Sequence, residues 1–85
     1  MNTQSKLGRH DGAIKHYDKA IELQADSANA WYNKACAYSL KGDKERSLYN
    51  LRKVIELGPE YKEKAKKDED FRNLWDDENF KKIVE

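Results

Sequence analysis

The chain has 85 residues, 17 of them basic and 16 acidic, for a formal net charge of +1. Charged residues make up 39% and hydrophobic ones 38%, with four glycines and one proline, a mixture that suits amphipathic helices rather than a disordered tail. The balance excludes the positive excess of a duplex-binding domain and the basic face of a membrane-surface helix. No apolar run nears the ~20 residues that span a bilayer, which predicts no membrane insertion. Met1 leads into polar residues, which predicts no signal peptide. A single cysteine, Cys36, excludes an internal disulfide and favours a reducing, cytoplasmic setting. One domain of this size buries only about 60–65% of its unfolded surface, so its core must be thin.

Shifting the sequence by 34 positions lays Gly8 on Gly42, Lys19 on Lys53 and Ile21-Glu22-Leu23 on Ile55-Glu56-Leu57. The same shift pairs Ala13 with Ser47, Ile14 with Leu48, Tyr17 with Leu51 and Ala20 with Val54. Small residues fall on small ones and large apolar residues on large ones, the mark of an internal repeat.

In chain order, Ala13, Ile14, Tyr17, Ala20 and Ile21 have helical spacing and predict a helix over 11–24. Trp31, Ala35 and Tyr38 predict a second over 28–41, with Trp31 and Tyr38 in the core. Gly42 suits the left-handed residue that ends it, and Asp43 caps the next helix, over 44–57. Gly58-Pro59 stops that helix and a fourth begins after it. Tyr61 to Lys67 is highly charged, with Glu63 and Lys67 spaced for an i,i+4 pair. Phe71, Leu74 and Trp75, then Phe80, Ile83 and Val84, predict two short helices packed as a lid over the end of the stack. Asp68 or Asp70 would cap the first of them and Asp77 the second.

Ala30-Trp31-Tyr32-Asn33, Ala35, Tyr38, Gly42-Asp43 and Pro59 resemble one complete tetratricopeptide repeat (TPR), and Gly8 to Ser27 resembles the second helix and linker of a repeat before it. The tail from Ala65 to Phe80 is similar to a capping segment that follows such repeats. The resemblance implies an all-α fold, antiparallel helix pairs of a TPR-type α-solenoid with short C-terminal capping helices. It divides a single domain, 1–85, into a partial repeat (8–27), a full repeat (28–61) and a helical cap (62–85). Lys34 stands where the family usually has leucine, Ser47 where alanine is usual, and Ala25 where proline often closes a repeat. Only Met1 to Leu7 remain before Gly8 for a helix that should be about twice as long. The first repeat then reads as incomplete, and the apolar face of helix 11–24 calls for a partner, a second copy of the chain included.

The family binds proteins through the concave face lined by the first helix of each pair. That implies a non-catalytic module that holds a peptide or partner protein and needs no cofactor. The positions carried over are Asn29, Tyr32, Asn33, Cys36, Ser39 and Leu40 on helix 28–41, with Lys66 and Lys67 from the next helix. A chaperone-tail carboxylate clamp is poorly matched: Asn33 fits one asparagine and Lys67 stands near the arginine, but Glu63 replaces a lysine. Two alternatives remain, a regulatory or targeting fragment of a larger protein and a helical-repeat nucleic-acid binder.

The remaining chemistry-bearing residues read as structural. His10 and His16 lie about 240° apart around a helix and cannot share one metal. Cys36 has no positioned base in the sequence and reads as a small residue at a helix surface or edge. Asp68-Glu69-Asp70 and Asp76-Asp77-Glu78 lack the glycine and distal glutamate of a calcium loop and read as helix-start charges. Trp75, Phe71 and Phe80 are spaced as core, not as a base-stacking platform.

Overall fold

A computed structural model of the chain describes the backbone of residues 3–85 and the side chains from residue 10 onward. The fold is all-α, with no strand among the described residues. Its helices are α1 (Thr3–Leu23), α2 (Ala28–Lys41), α3 (Lys44–Leu57), α4 (Tyr61–Lys67) and α5 (Glu78–Val84), with a 3₁₀ helix, Glu69–Leu74, between the last two. Its smallest dimension is 18 Å, close to two helix diameters, so the molecule is a slab two helices thick.

The first element differs from expectation. One helix of 21 residues runs through Gly8 and Gly12 without a break, where the apolar spacing predicts a helix over 11–24. Glycine inside a helix costs only about 1 kcal/mol against alanine, and each added residue gains a backbone hydrogen bond. Two glycines without a proline do not stop it. The residues before Gly8 that the sequence reading assigned to an incomplete first helix belong, from Thr3 on, to α1 itself.

From α2 onward the boundaries follow the local chemistry. The Ser27 hydroxyl accepts from the Ala30 N–H and starts α2, and Gly42, at φ +89°, ends it in the left-handed conformation. The Asp43 carboxylate accepts from the Arg46 N–H and opens α3. The Gly58 N–H closes α3 on the Val54 carbonyl, and Pro59 prevents continuation. Asp68 caps the 3₁₀ helix through the Asp70 N–H, and Asp77 caps α5 through the N–H groups of Asn79 and Phe80. Glu63 pairs with Lys66 rather than with Lys67.

α2 lies at the centre. It packs antiparallel against α1 and α3, and it also meets the 3₁₀ helix and, through Tyr32, Tyr61 of α4. α4 and α5 pack on α3 and on each other. One continuous core joins Tyr32, Ala35 and Cys36 of α2 to Leu48, Leu51 and Val54 of α3 and to Ala65, Phe71, Leu74, Phe80 and Val84 of the C-terminal part. Each large side chain buried there contributes roughly 1.5–3 kcal/mol. The tail caps the α2–α3 pair and is itself part of the core. Phe71 and Phe80 are buried as the sequence predicts, while Trp75 is half-buried beside them.

The aromatic residues of α2 are placed differently from the expectation. Trp31 and Tyr38 are half-buried, and Trp31 donates its indole N–H to the Ala25 carbonyl at 2.8 Å. Tyr32, assigned to a binding surface, is the buried one at 2% exposure. Lys34, at the usual leucine position, reaches α1 and pairs with Asp18 at 2.6 Å, its ammonium 5.5 Å from the Trp31 ring. Ser47, at the usual alanine position, is fully buried and donates its hydroxyl to the Ala35 carbonyl at 2.8 Å. That bond ties α3 to α2.

Candidate functional site

Residues seven apart on a helix share a column, and four of the seven columns of α2 bear on the site. Lys34 and Lys41 reach α1, where they pair with Asp18 and Asp11. Ala35 faces α3. Tyr32 and Ser39 face the 3₁₀ segment: the Tyr32 hydroxyl donates to Asp68 Oδ2 at 2.6 Å, and the Ser39 hydroxyl donates to the Asp70 main-chain carbonyl, also at 2.6 Å. The fourth column, Asn33 and Leu40 with Asn29 beside it, is left free. Asn29 is exposed, Asn33 half-buried and Leu40 45% exposed.

The eight residues expected to meet a partner therefore divide into two groups. Asn29, Asn33 and Leu40 of α2 and Lys66 and Lys67 of α4 reach solvent. Tyr32, Cys36 and Ser39 are buried beneath the chain's own C-terminal segment. Cys36 is thus not a residue of a surface or edge. The reason is Phe71. It is fully buried, with its ring edge-on to Tyr32 at 5.6 Å and tilted against Phe80 at 5.8 Å, and it draws Asp68 and Asp70 down onto α2.

The electrostatics of this seam follow from burial. Burial first, then the bond to Asp68, pushes the Tyr32 phenol far above its ordinary value. Burial also pushes the Cys36 thiol well up, and Asp68 and Asp70 push it further. Asp70 is raised by burial and by Asp68 beside it, with the Cys36 thiol first and His10 of α1 after it acting in the opposite direction. The Lys64 ammonium sits 4.8 Å from the Tyr32 ring and 5.5 Å from that of Tyr61, a cation–π contact at the edge of the seam.

Cys36 Sγ and one carboxylate oxygen each of Asp68 and Asp70 lie within 4.8 Å of one another, a trio the sequence reading did not bring together. Both Asp68 oxygens are already engaged, one by the Tyr32 hydroxyl and one by the Asp70 N–H. With the thiol kept protonated, the trio is accounted for by protons and hydrogen bonds. His10 is half-buried and His16 exposed. A shallow cleft of about 390 Å³ also lies between α3 and α5, lined by Lys44, Leu48, Tyr49, Arg52 and Asn79.

Two family models match the chain, one described as TPR repeat over residues 5–42 and one as tetratricopeptide repeat over residues 28–61. Together they cover 5–61, and the chain belongs to the tetratricopeptide repeat family. It is 41% identical over 51 residues to a TPR repeat-containing protein of Methanocaldococcus jannaschii, a match covering 60% of this chain and 9% of that protein. It is 33% identical over 60 residues to the Hsp70-Hsp90 organizing protein of Triticum aestivum, covering 71% of this chain and 10% of that protein. The chain thus spans about a tenth of the length of these relatives. No solved structure matches it. Tetratricopeptide repeats are protein-interaction modules, and no described helix is long and apolar enough to cross a membrane.

Proposed function

We propose that the chain is a non-catalytic module that binds a peptide or partner protein on the concave side of α2, in a cytoplasmic setting. The observation that carries this is the open column of α2. Asn29 and Asn33 offer amide donors and acceptors for a peptide backbone, and Leu40 offers apolar contact. Lys66 and Lys67 add positive charge on α4. Tyr32, Cys36 and Ser39 back this surface by holding the segment beside it in place. Nucleic-acid binding is weakened by the near-neutral charge, since phosphate contacts dominate such affinity. The share of the M. jannaschii and wheat relatives that is matched supports a part within a larger protein.

Site-specific photo-crosslinking tests the reading. A crosslinker at position 33 or 40 should capture a protein partner that one at position 56, on the exposed face of α3, does not. Equal capture from all three positions would remove the concave side as the binding surface.

α1 supports a second contact. Leu23 is 78% exposed, and Tyr17 and Ile21 are only half-buried against α2, so a helix laid along them would cover apolar surface. Pairing with a second copy there predicts a concentration-dependent mass by light scattering; a constant monomer mass at micromolar concentrations would rule it out.

A further inference from the structure

α4 and α5 are anchored on α3 and on each other, and the segment between them crosses to α2 as a strap. The strap is a single 3₁₀ helix of six residues, the less favourable kind of helical hydrogen bonding. Its hold on α2 is that of a bound peptide. The Ser39 hydroxyl grips a main-chain carbonyl, a contact indifferent to the residue that carries it. The Tyr32 hydroxyl grips the Asp68 carboxylate, a contact strongest with an acid. The Phe71 ring fills an aromatic pocket made by Tyr32 and Phe80. One positive charge stands at the edge of this face: the Lys64 ammonium lies 4.8 Å from the Tyr32 ring, whose hydroxyl holds Asp68.

We propose that the Tyr32–Ser39 face of α2 is a receptor for an acidic peptide of the form Asp-x-x-Phe, and that residues 68–71 occupy this receptor in cis and hold it closed against such a partner. This deepens the reading of the chain as a peptide-binding module and rests on it. A tethered occupant acts at an effective concentration on the order of millimolar, so a competing peptide of modest affinity is excluded until the strap is weakened or a tighter sequence arrives. Opening the strap breaks the bonds of Asp68 and Asp70 to α2, while α4 and α5 keep their contacts with α3 and with each other and α4 keeps Tyr61 and Lys64 against Tyr32.

The probe is a fluorescently labelled peptide with the sequence of residues 66–75, titrated against the full chain by fluorescence anisotropy. The chain carrying Phe71→Ala should bind it at least about tenfold more tightly than the unmodified chain. Asp68→Asn, which keeps the cap on the 3₁₀ helix but weakens the bond to Tyr32, should give an intermediate gain. The same peptide with alanine in place of its phenylalanine should not bind. Circular dichroism establishes that each variant is folded, and Asp68→Asn decides the matter if Phe71→Ala is not. Equal affinity for the unmodified chain and the folded variants overturns the proposal, as does binding that ignores the peptide's phenylalanine. Crosslinking from positions 33 and 40 is read separately: its persistence alongside a negative titration sinks the receptor inference alone, and its loss sinks the reading beneath it.

Discussion

The Tyr32 hydroxyl and the Asp68 carboxylate meet at 2.6 Å across 36 residues of chain, joining the first helix of the full repeat to the segment that follows the solenoid. The bond is charge-assisted and joins a half-buried carboxylate to a tyrosine only 2% exposed. Tyr32→Phe keeps the ring against Phe71 and removes the donor, and the expected loss is about 1–3 kcal/mol in urea unfolding. Tyr32→Ala also empties the pocket and should cost about 3–5 kcal/mol. Phe and wild type unfolding at the same urea concentration would show that the hydroxyl contributes nothing to the fold.

The helix glycines should respond with opposite signs. Gly12 lies within α1 with no atom within 4 Å of where a Cβ would stand, so Gly12→Ala should stabilise by about 0.5–1 kcal/mol. Gly42 has the same free space but φ +89°, where an L side chain is strained, and Gly42→Ala should destabilise by about 1 kcal/mol or more. Thermal melts of the two variants check both signs. A destabilised Gly12→Ala would contradict the continuous α1.

Those two glycines also show what the sequence could reveal. Gly42 is legible because the Asp43 cap and a fresh apolar stripe follow it, all within a few residues. Gly8 aligns with it under the 34-residue shift yet lies inside α1, because a glycine marks an end only where another signal agrees. The candidate site divides the same way. The stripe Asn29 to Leu40 could be drawn from helical spacing alone, but which half of it stays open depends on where Phe71 lands. The Ser39 bond to Asp70 spans 31 residues, and no local pattern encodes it. The signal that could have found it is weak: a tyrosine, a serine and a cysteine on one face of α2, with an acidic-aromatic motif downstream able to satisfy them.

Ser47 departs from the family's usual alanine and yet has a defined partner. Its hydroxyl donates to the Ala35 carbonyl, whose residue is fully buried. Replacing it with alanine removes donor and hydroxyl together, so Ser47→Ala should cost about 1 kcal/mol or less. Ser47→Val adds bulk at a fully buried position between α2 and α3 and should cost about 1–3 kcal/mol. Calorimetry that ranks alanine as the worse of the two would show that the hydrogen bond, not the burial, sets this position.

Stability should fall on the alkaline side, and the sign follows from the two groups beside the strap. Burial raises both the Cys36 thiol and the Tyr32 phenol, so the folded chain keeps their protons where the unfolded chain gives them up. In the unfolded chain the thiol ionises near about pH 8.5 and the phenol near about pH 10. Above each of these values the unfolded state binds fewer protons than the native state, and unfolding becomes progressively easier. The folded thiol should accordingly resist alkylation at pH 8 and react at the rate of global or strap opening, since the attacking species is the thiolate. Cys36→Ala should flatten the fall that begins near pH 8.5, and Tyr32→Phe the steeper one above pH 10. Stability that is level from pH 8 to 11, or a Cys36 alkylated in the native state as fast as a free thiol, would place these side chains in water rather than beneath residues 68–71.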